Sequence, residues 1–329
     1  MKRATTVLLA IASIAAAIWW WSGRSNVDTT RARANDATAA NQVEPRQGNP
    51  GSLQDVSGTA ESAPPEQNAM PDVRAQFRAS KDYWDFAERN FEAAKRGDGA
   101  ARYYLSVALQ TCKDLYPFYF IEPRAGTGAR IRTLDEAQQL TATRRGSGYT
   151  PDDVRDIQTR CQRIMNTKPP PFGDADKWME AALVSGYPLA QVNASIYKAL
   201  QARGDPASEE SRAAQSEARV LAFDALRSKD PEVVWWLAST AAFLTGDEAG
   251  EVQKRQWTWR MAACFRQPNC DSMTEWKDLL CEADPQCHRD DTVMDIIRRG
   301  AGNDFGEIER RARELNEKID SGTVDEADL

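Results

Sequence analysis

Histidine is nearly absent from this chain: His288 is the only one in 329 residues. That excludes paired-histidine metal motifs and leaves any Ser–His or Cys–His nucleophile a single possible base. His288 itself, beside Cys287, reads as a solvated loop residue. Alternating polar and apolar runs are also missing, so no extended sheet is expected. Only PFYFI, Pro117–Ile121, has the makings of a short strand or buried loop. The glycine pairs Gly126-x-Gly128 and Gly146-x-Gly148 follow no strand and lack the Lys-Ser/Thr of a phosphate loop, and no other cofactor motif is present. Positive charge is not in excess: Lys+Arg number 42 against Asp+Glu 49, a net charge of −7. Nucleic-acid binding rests on neutralising phosphates, so no nucleic-acid partner is expected.

What the chain does have begins at its first residues. Lys2 and Arg3 precede an uncharged run from Thr5 to Trp21 that closes on Trp19–Trp21. A basic start followed by an apolar core predicts a secretory signal or an N-terminal anchor within 1–24. As a helix the run would span about 25 Å, slightly short of a ~30 Å hydrocarbon core. Tryptophans favour the headgroup interface, and no A-x-A cleavage motif follows them. The reading is an uncleaved anchor in the inner membrane through residues 5–21, with a cleaved signal as the alternative. Either way the remainder is expected in the periplasm of a Gram-negative envelope. Residues 25–72, rich in Ala, Asn, Gln, Gly, Pro and Ser, have too few large apolar side chains to offset chain entropy and read as a disordered linker.

Six cysteines, Cys112, Cys161, Cys264, Cys270, Cys281 and Cys287, all follow that linker. An even number in an oxidising compartment predicts a disulfide framework. The last four form a C-x5-C-x10-C-x5-C block in which each close pair brackets a proline, Pro268 or Pro285. The expected pairs are Cys264–Cys270, Cys281–Cys287 and, by elimination, Cys112–Cys161; crosswise pairing within the block is the alternative. A zinc site is disfavoured, because this spacing matches none of the short knuckles and oxidising surroundings oppose free thiolates.

Between residues 73 and 320 the chain reads as helical almost throughout, which predicts an all-α fold. Trp84, Ala87, Phe91 and Ala94 lie on one helical face that stops at Gly97. Asp98 then caps a helix carrying Ala101, Tyr104, Leu105, Ala108 and Cys112. Thr133–Glu136 is a capping box, and Thr150-Pro151 starts a helix with a Val154, Ile157, Cys161, Ile164 stripe. Pro169–Pro171 breaks the chain. Helices over 176–185 and 189–202 flank Gly186-Tyr187-Pro188, and Asp205-Pro206, Asp230-Pro231 and Asp247 open three more. Phe305, Ile308, Leu315 and Ile319 mark a last amphipathic helix, and 321–329 reads as a flexible tail.

Internal similarity links Arg96–Leu109 (RGDGAARYYLSVAL) with Ser228–Ala241 (SKDPEVVWWLASTA). Asp98 falls on Asp230, Tyr103-Tyr104 on Trp235-Trp236, and Leu105 on Leu237. Ser185–Ala194 (SGYPLAQVNA) fits less closely, with Gly186 on Gly97. The intervals are uneven, 89 residues from Gly97 to Gly186 and 43 from Gly186 to Lys229, unlike a strict solenoid. EAAKRGDGAARYYLSVAL and KWMEAALVSGYPLAQVNASIYK resemble Sel1-like repeats, relatives of the tetratricopeptide type, in which a helix ends in Ala-Ala before a glycine turn. The likeness places degenerate units near 84–112, 175–202 and 220–246, while 124–172 departs from it. The Cys-rich stretch 259–290, taken with the leader, is similar to uncharacterised proteobacterial cell-envelope proteins. The resemblance implies stacked helix pairs presenting an interaction surface, and it carries no catalytic residue.

Three aromatic pairs, Tyr103-Tyr104, Trp235-Trp236 and Trp257-x-Trp259, are the candidate partner surface. Helical neighbours point ~100° apart, so one of each pair faces the core and the other is free to reach a groove. Packing alone is the plainer use for them. Glu180, Glu209, Glu232 and Glu248 sit near first helical turns or on polar faces, where acids complement the helix dipole. No catalytic, cofactor or metal residue is assigned. The functional expectation is a non-enzymatic envelope scaffold that binds a protein or peptide through a helical groove. The alternatives are a peptidoglycan-acting enzyme with one acidic catalytic residue and a structural envelope protein with no specific ligand.

Overall fold

The computed structural model of the chain describes residues 72–124, 128–143, 150–167, 171–203, 208–244, 249–272, 276–277, 280–281, 286–288 and 290–329. The leader and nearly all of the expected linker lie outside these residues. Asp72, assigned above to the linker, instead caps the first helix by accepting from the Arg74 N–H.

The described elements are α1 (Val73–Ala79), α2 (Tyr83–Arg96), α3 (Gly99–Phe120), β1 (Ile121–Arg124), β2 (Gly128–Ile131), α4 (Leu134–Thr143), α5 (Pro151–Asn166), α6 (Ala175–Val184), α7 (Pro188–Gln201), α8 (Glu209–Leu226), α9 (Pro231–Leu244), α10 (Ala249–Phe265), α11 (Val293–Ala301) and α12 (Phe305–Ser321). The fold is all-α, an irregular array of pairwise-packed helices. Side-chain caps set many helix starts: Asp82, Asp98, Asp174 and Ser208 each accept a first-turn N–H, and Thr150 and Thr292 close full capping boxes. Each satisfies backbone donors that have no partner inside the helix.

α3 organises the first half, packing against α1, α2, α5 and α6. α7 joins α8 and α9, α9 lies along α10, and α10 carries α11 and α12. One core extends from Tyr83 through Phe86, Leu105, Leu237, Trp259 and Ile308 to Leu329, and a smaller cluster joins Ala199, Ala218, Phe243 and Leu244. The six cysteines form three disulfides: Cys112–Cys161 ties α3 to α5, and Cys264–Cys270 and Cys281–Cys287 close short loops.

Several expectations are corrected. PFYFI is not a strand: α3 continues through Pro117 to Phe120, and only Ile121 enters β1, which pairs antiparallel with β2. Arg130 pairs with Glu122 across this hairpin and with Glu136 of α4, and Arg132 donates to the Tyr119 and Ile121 carbonyls at the end of α3. Charged side chains, with partners 6 to 13 positions away, tie the hairpin down, so no apolar alternation announces it. Residues 321–329, expected as a flexible tail, are mostly exposed but fastened at their end: Leu329 is 1 % exposed, and Trp259 Nε1 donates to the Asp328 carbonyl at 3.0 Å. Asp205 and Asp247 lie outside the described residues, and Ser208 supplies the cap of α8.

Membrane attachment is corrected as well. Among the described residues no helix is long and apolar enough to cross a membrane. The longest, α3, carries Arg102, Lys113 and Asp114 and spends its apolar side on neighbouring helices. The inner-membrane contact through residues 5–21, which lie outside the described residues, is therefore withdrawn, together with the anchored periplasmic placement drawn from it.

Candidate functional site

Each aromatic pair splits between core and surface. Tyr104, Trp235 and Trp259 are buried, whereas Tyr103, Trp236 and Trp257 are half-buried and packed against the core edge. The structure gathers most of them into two sets that share α9. Trp259 belongs to neither, because its indole is committed to the C-terminal segment.

The first set sits where α1, α3, the α6–α7 turn and the start of α9 meet. Arg74 Nε donates to the Tyr104 hydroxyl at 2.9 Å, and Arg74 Nη1 to Asp230 Oδ1 at 3.2 Å. Glu232, 8 % exposed, accepts from Arg78 at 3.1 Å and from Tyr104 at 3.4 Å, with Arg74 Nε 3.3 Å away. Phe77 packs between Tyr83, Phe86 and Tyr104, and Tyr103 lies against Tyr104 and Tyr187. Burial alone would lower the Arg74 pKa; the hydrogen bond to Asp230 and the Glu232 charge outweigh it and raise it. Burial first, and the Glu232 charge second, push Tyr103 and Tyr104 well above the ordinary tyrosine value. Burial likewise raises Tyr187. Donors and acceptors in this set answer one another. Glu232 is the residue sequence reasoning undervalued: its burial depends on arginines more than 150 positions earlier in the chain, which no local pattern encodes.

The second set is a tryptophan box between α9, α10, Trp276 and α11. Trp235 stacks on Trp276 with ring centroids 4.3 Å apart and planes 4° from parallel. Arg260, one turn beyond Trp257 on α10, lies 5.2 Å from the Trp257 ring and 5.7 Å from that of Trp235. Gly300 of α11 lets the Trp257 indole in: a Cβ there would stand 2.3 Å from Cζ2. Such cation–π contacts hold a guanidinium by ring faces and do not use its N–H donors. Among the described residues Arg260 has no carboxylate partner and no hydrogen bond. Burial with nothing to offset it lowers its pKa to about 10. The indole N–H groups of Trp257 and Trp276 are also buried without an acceptor. The box is thus rich in unspent donors, which buried polar groups rarely leave.

Elsewhere, Trp84, Gln162, Arg163, Asn166 and Thr167 line an open depression of about 290 Å³. Arg163 covers the Trp84 ring there and pairs with Asp82 and Asp85. His288 is exposed, and its backbone N–H donates to Asp291. All six cysteines are disulfide-bonded, so none is a thiolate ligand. Among the described residues no group of three or more His, Cys, Asp or Glu is placed to hold a metal ion. No protein-family model, no curated protein and no solved structure matches this chain, which stands as an all-helical, multi-helix protein without a confirmed family.

Proposed function

We propose that the helical array is a non-enzymatic interaction scaffold that receives a protein or peptide in a groove beside α9 and α10. One observation carries this reading: Trp235, itself stacked on Trp276, and Trp257 flank a cation whose donors have no acceptor among the described residues. A guanidinium held against two indole faces, half-buried and with none of its donors spent on the described residues, is placed to meet a group from outside. Aromatic and arginine side chains are also the ones that dominate binding energy at interfaces. Trp257, half-buried at this place, supplies an apolar part of the surface, and Trp236 is half-buried on α9.

In this reading the helix pairs are degenerate relatives of Sel1-like units. The support is conformational. The aligned turn positions Gly97, Gly186 and Lys229 all adopt positive φ, at 109°, 73° and 55°, so each pair turns on the same left-handed residue. The competing enzyme reading requires a carboxyl free to give up a proton, and Glu232 is engaged by two guanidiniums and a phenol.

A photoreactive amino acid placed at Trp236 or Trp257, in cells expressing the chain, is expected to capture one discrete protein. The same group at exposed Val220 on α8 is expected to capture none. Equal capture from both faces, or cleavage of cell-wall material that Glu232→Gln abolishes, would overturn the scaffold.

A further inference from the structure

We infer that Arg260 is the seat of a carboxylate belonging to the bound partner, held by the guanidinium between the rings of Trp235 and Trp257. This rests on the scaffold reading and names the group the partner must carry. The argument starts from hydrogen-bond valence. A guanidinium brings five N–H donors in a planar fork, and other arginines of this fold use theirs: Arg74 on Asp230 and Tyr104, Arg132 on carbonyls, Arg266 on Asn316 and Asp320. Arg260 uses none among the described residues. It is nevertheless fixed in place, because the faces of Trp235 and Trp257 hold it at 5.7 and 5.2 Å. A donor fork that is positioned, half-buried and unspent is preorganised for an oxyanion.

The floor and the mouth of the box differ in the way a binding site requires. Trp235 and Trp276 are buried and stacked, whereas Arg260 and Trp257 are only half-buried. A ligand can therefore reach the cation from solvent while the indole rings keep water away from its far side. Burial lowers the Arg260 pKa to about 10, and a negative charge brought beside it would act in the opposite sense.

The chemistry selects a carboxylate over a phosphate. One guanidinium offers a single positive charge and a two-pronged fork, the complement of one carboxylate. A phosphate dianion would enter the same apolar walls with a second charge unmatched, and among the described residues no other cation lies on these rings. The free C-terminal carboxylate of a peptide fits both the charge and the peptide-binding role.

The test uses the full chain labelled with ¹⁵N at tryptophan and arginine. N-acetyl-trialanine with a free C-terminal carboxylate is titrated against its C-terminal amide, with inorganic phosphate as a third arm, all at constant ionic strength. The free acid is expected to shift the Arg260 Nε–H signal and the Trp257 indole signal in a saturable way. The amide is expected to shift neither, and phosphate to bind at least tenfold more weakly than the free acid. Arg260→Met should abolish the response while leaving the remaining indole signals dispersed. If that variant does not fold, Arg260→Lys keeps the charge, loses the fork and should weaken binding at least tenfold. No shift with the free acid, an equal response to the amide, or phosphate binding as tightly as the acid overturns the assignment. Failure of the photocapture experiment with a positive titration would remove the scaffold and leave the carboxylate seat. The converse result would remove only the seat.

Discussion

Gly300 and Trp257 divide one space between them. Gly300 lies in α11, where glycine is a poor choice on helix propensity alone, costing roughly 0.5–1 kcal/mol relative to alanine. Its place is explained by the indole: a Cβ would meet Trp257 Cζ2 at 2.3 Å and Cε2 at 2.9 Å, and the ring is already held against Arg260. Gly300→Ala therefore sets a helix gain against overpacking, which costs about 1–3 kcal/mol. The expected result is net destabilisation of about 1 kcal/mol in urea unfolding, with a shifted Trp257 indole signal. An unchanged indole signal with higher stability would show that the ring moves freely. Glu232 works by a different logic. Its carboxylate is buried because Arg74 and Arg78 come to it, and removing one partner of a buried pair strands the others. Glu232→Gln is expected to cost about 2–4 kcal/mol, at the lower end if Arg78, one-third exposed, turns to water. A loss under 1 kcal/mol would mean that the network only decorates the junction.

At the scale of elements, the turns between helices carry the information that the sequence displays best. Gly97 and Gly186 end α2 and α6 with left-handed backbone, and the following N–H groups of Asp98 and Tyr187 reach back to the Ala93 and Ala182 carbonyls, the C-terminal cap that glycine favours. Lys229 takes the same position before α9 without being glycine, at φ 55°. An L-residue there costs roughly 1–2 kcal/mol. Lys229→Gly is thus expected to stabilise the fold by about 0.5 kcal/mol after losing the Lys229 Nζ bond to the Asp320 carbonyl. Gly97→Ala, at φ 109°, should destabilise it by at least about 1 kcal/mol. Opposite signs at aligned positions are the check, read from paired denaturation curves. The repeat alignment had placed Lys229 on Gly97 from neighbouring residues alone, which shows how far local pattern reaches. Caps at Asp98 and Thr150, the Thr133–Glu136 box and the stripe on α5 were equally readable, because each depends on residues within one or two turns. The hairpin, the fastened C-terminal end and the tryptophan box were not. They depend on Arg132 meeting the end of α3, Trp259 meeting Asp328, and Arg260 meeting Trp235, contacts set by tertiary packing.

Over the whole molecule, covalent and electrostatic ties act on different spans. Cys112–Cys161 closes a loop of 49 residues and fastens α3 to α5, whereas Cys264–Cys270 spans 6. Chain entropy assigns the long loop about 4 kcal/mol and the short one about 2, so replacing the first pair with alanines should lower the Tm by more than replacing the second. Equal losses in parallel melts would count against the entropic account. The junction where α1, α3, the α6–α7 turn and α9 meet responds instead to pH. Burial, reinforced by the Glu232 charge, raises the Tyr103 and Tyr104 hydroxyls above their unfolded value near 10, and burial raises Tyr187 with them. Between the unfolded value and the raised folded ones, the native chain keeps protons that the unfolded chain has released. The stabilisation from these tyrosines is therefore complete below about pH 10 and is lost as pH rises through the folded values. With no free thiols among the described residues, alkaline disulfide exchange lacks an initiator within them. The Tm is expected to fall steeply above about pH 10, with tyrosinate absorbance rising in step with unfolding rather than before it. Tyr104→Phe should lower the neutral-pH stability by about 1–2 kcal/mol, through loss of the hydrogen bonds with Arg74 and Glu232, and make the alkaline decline shallower. An identical slope in that variant, or tyrosinate forming fully before the fold is lost, would show that the tyrosines titrate freely and that Arg74, Asp230 and Glu232 hold the junction without them.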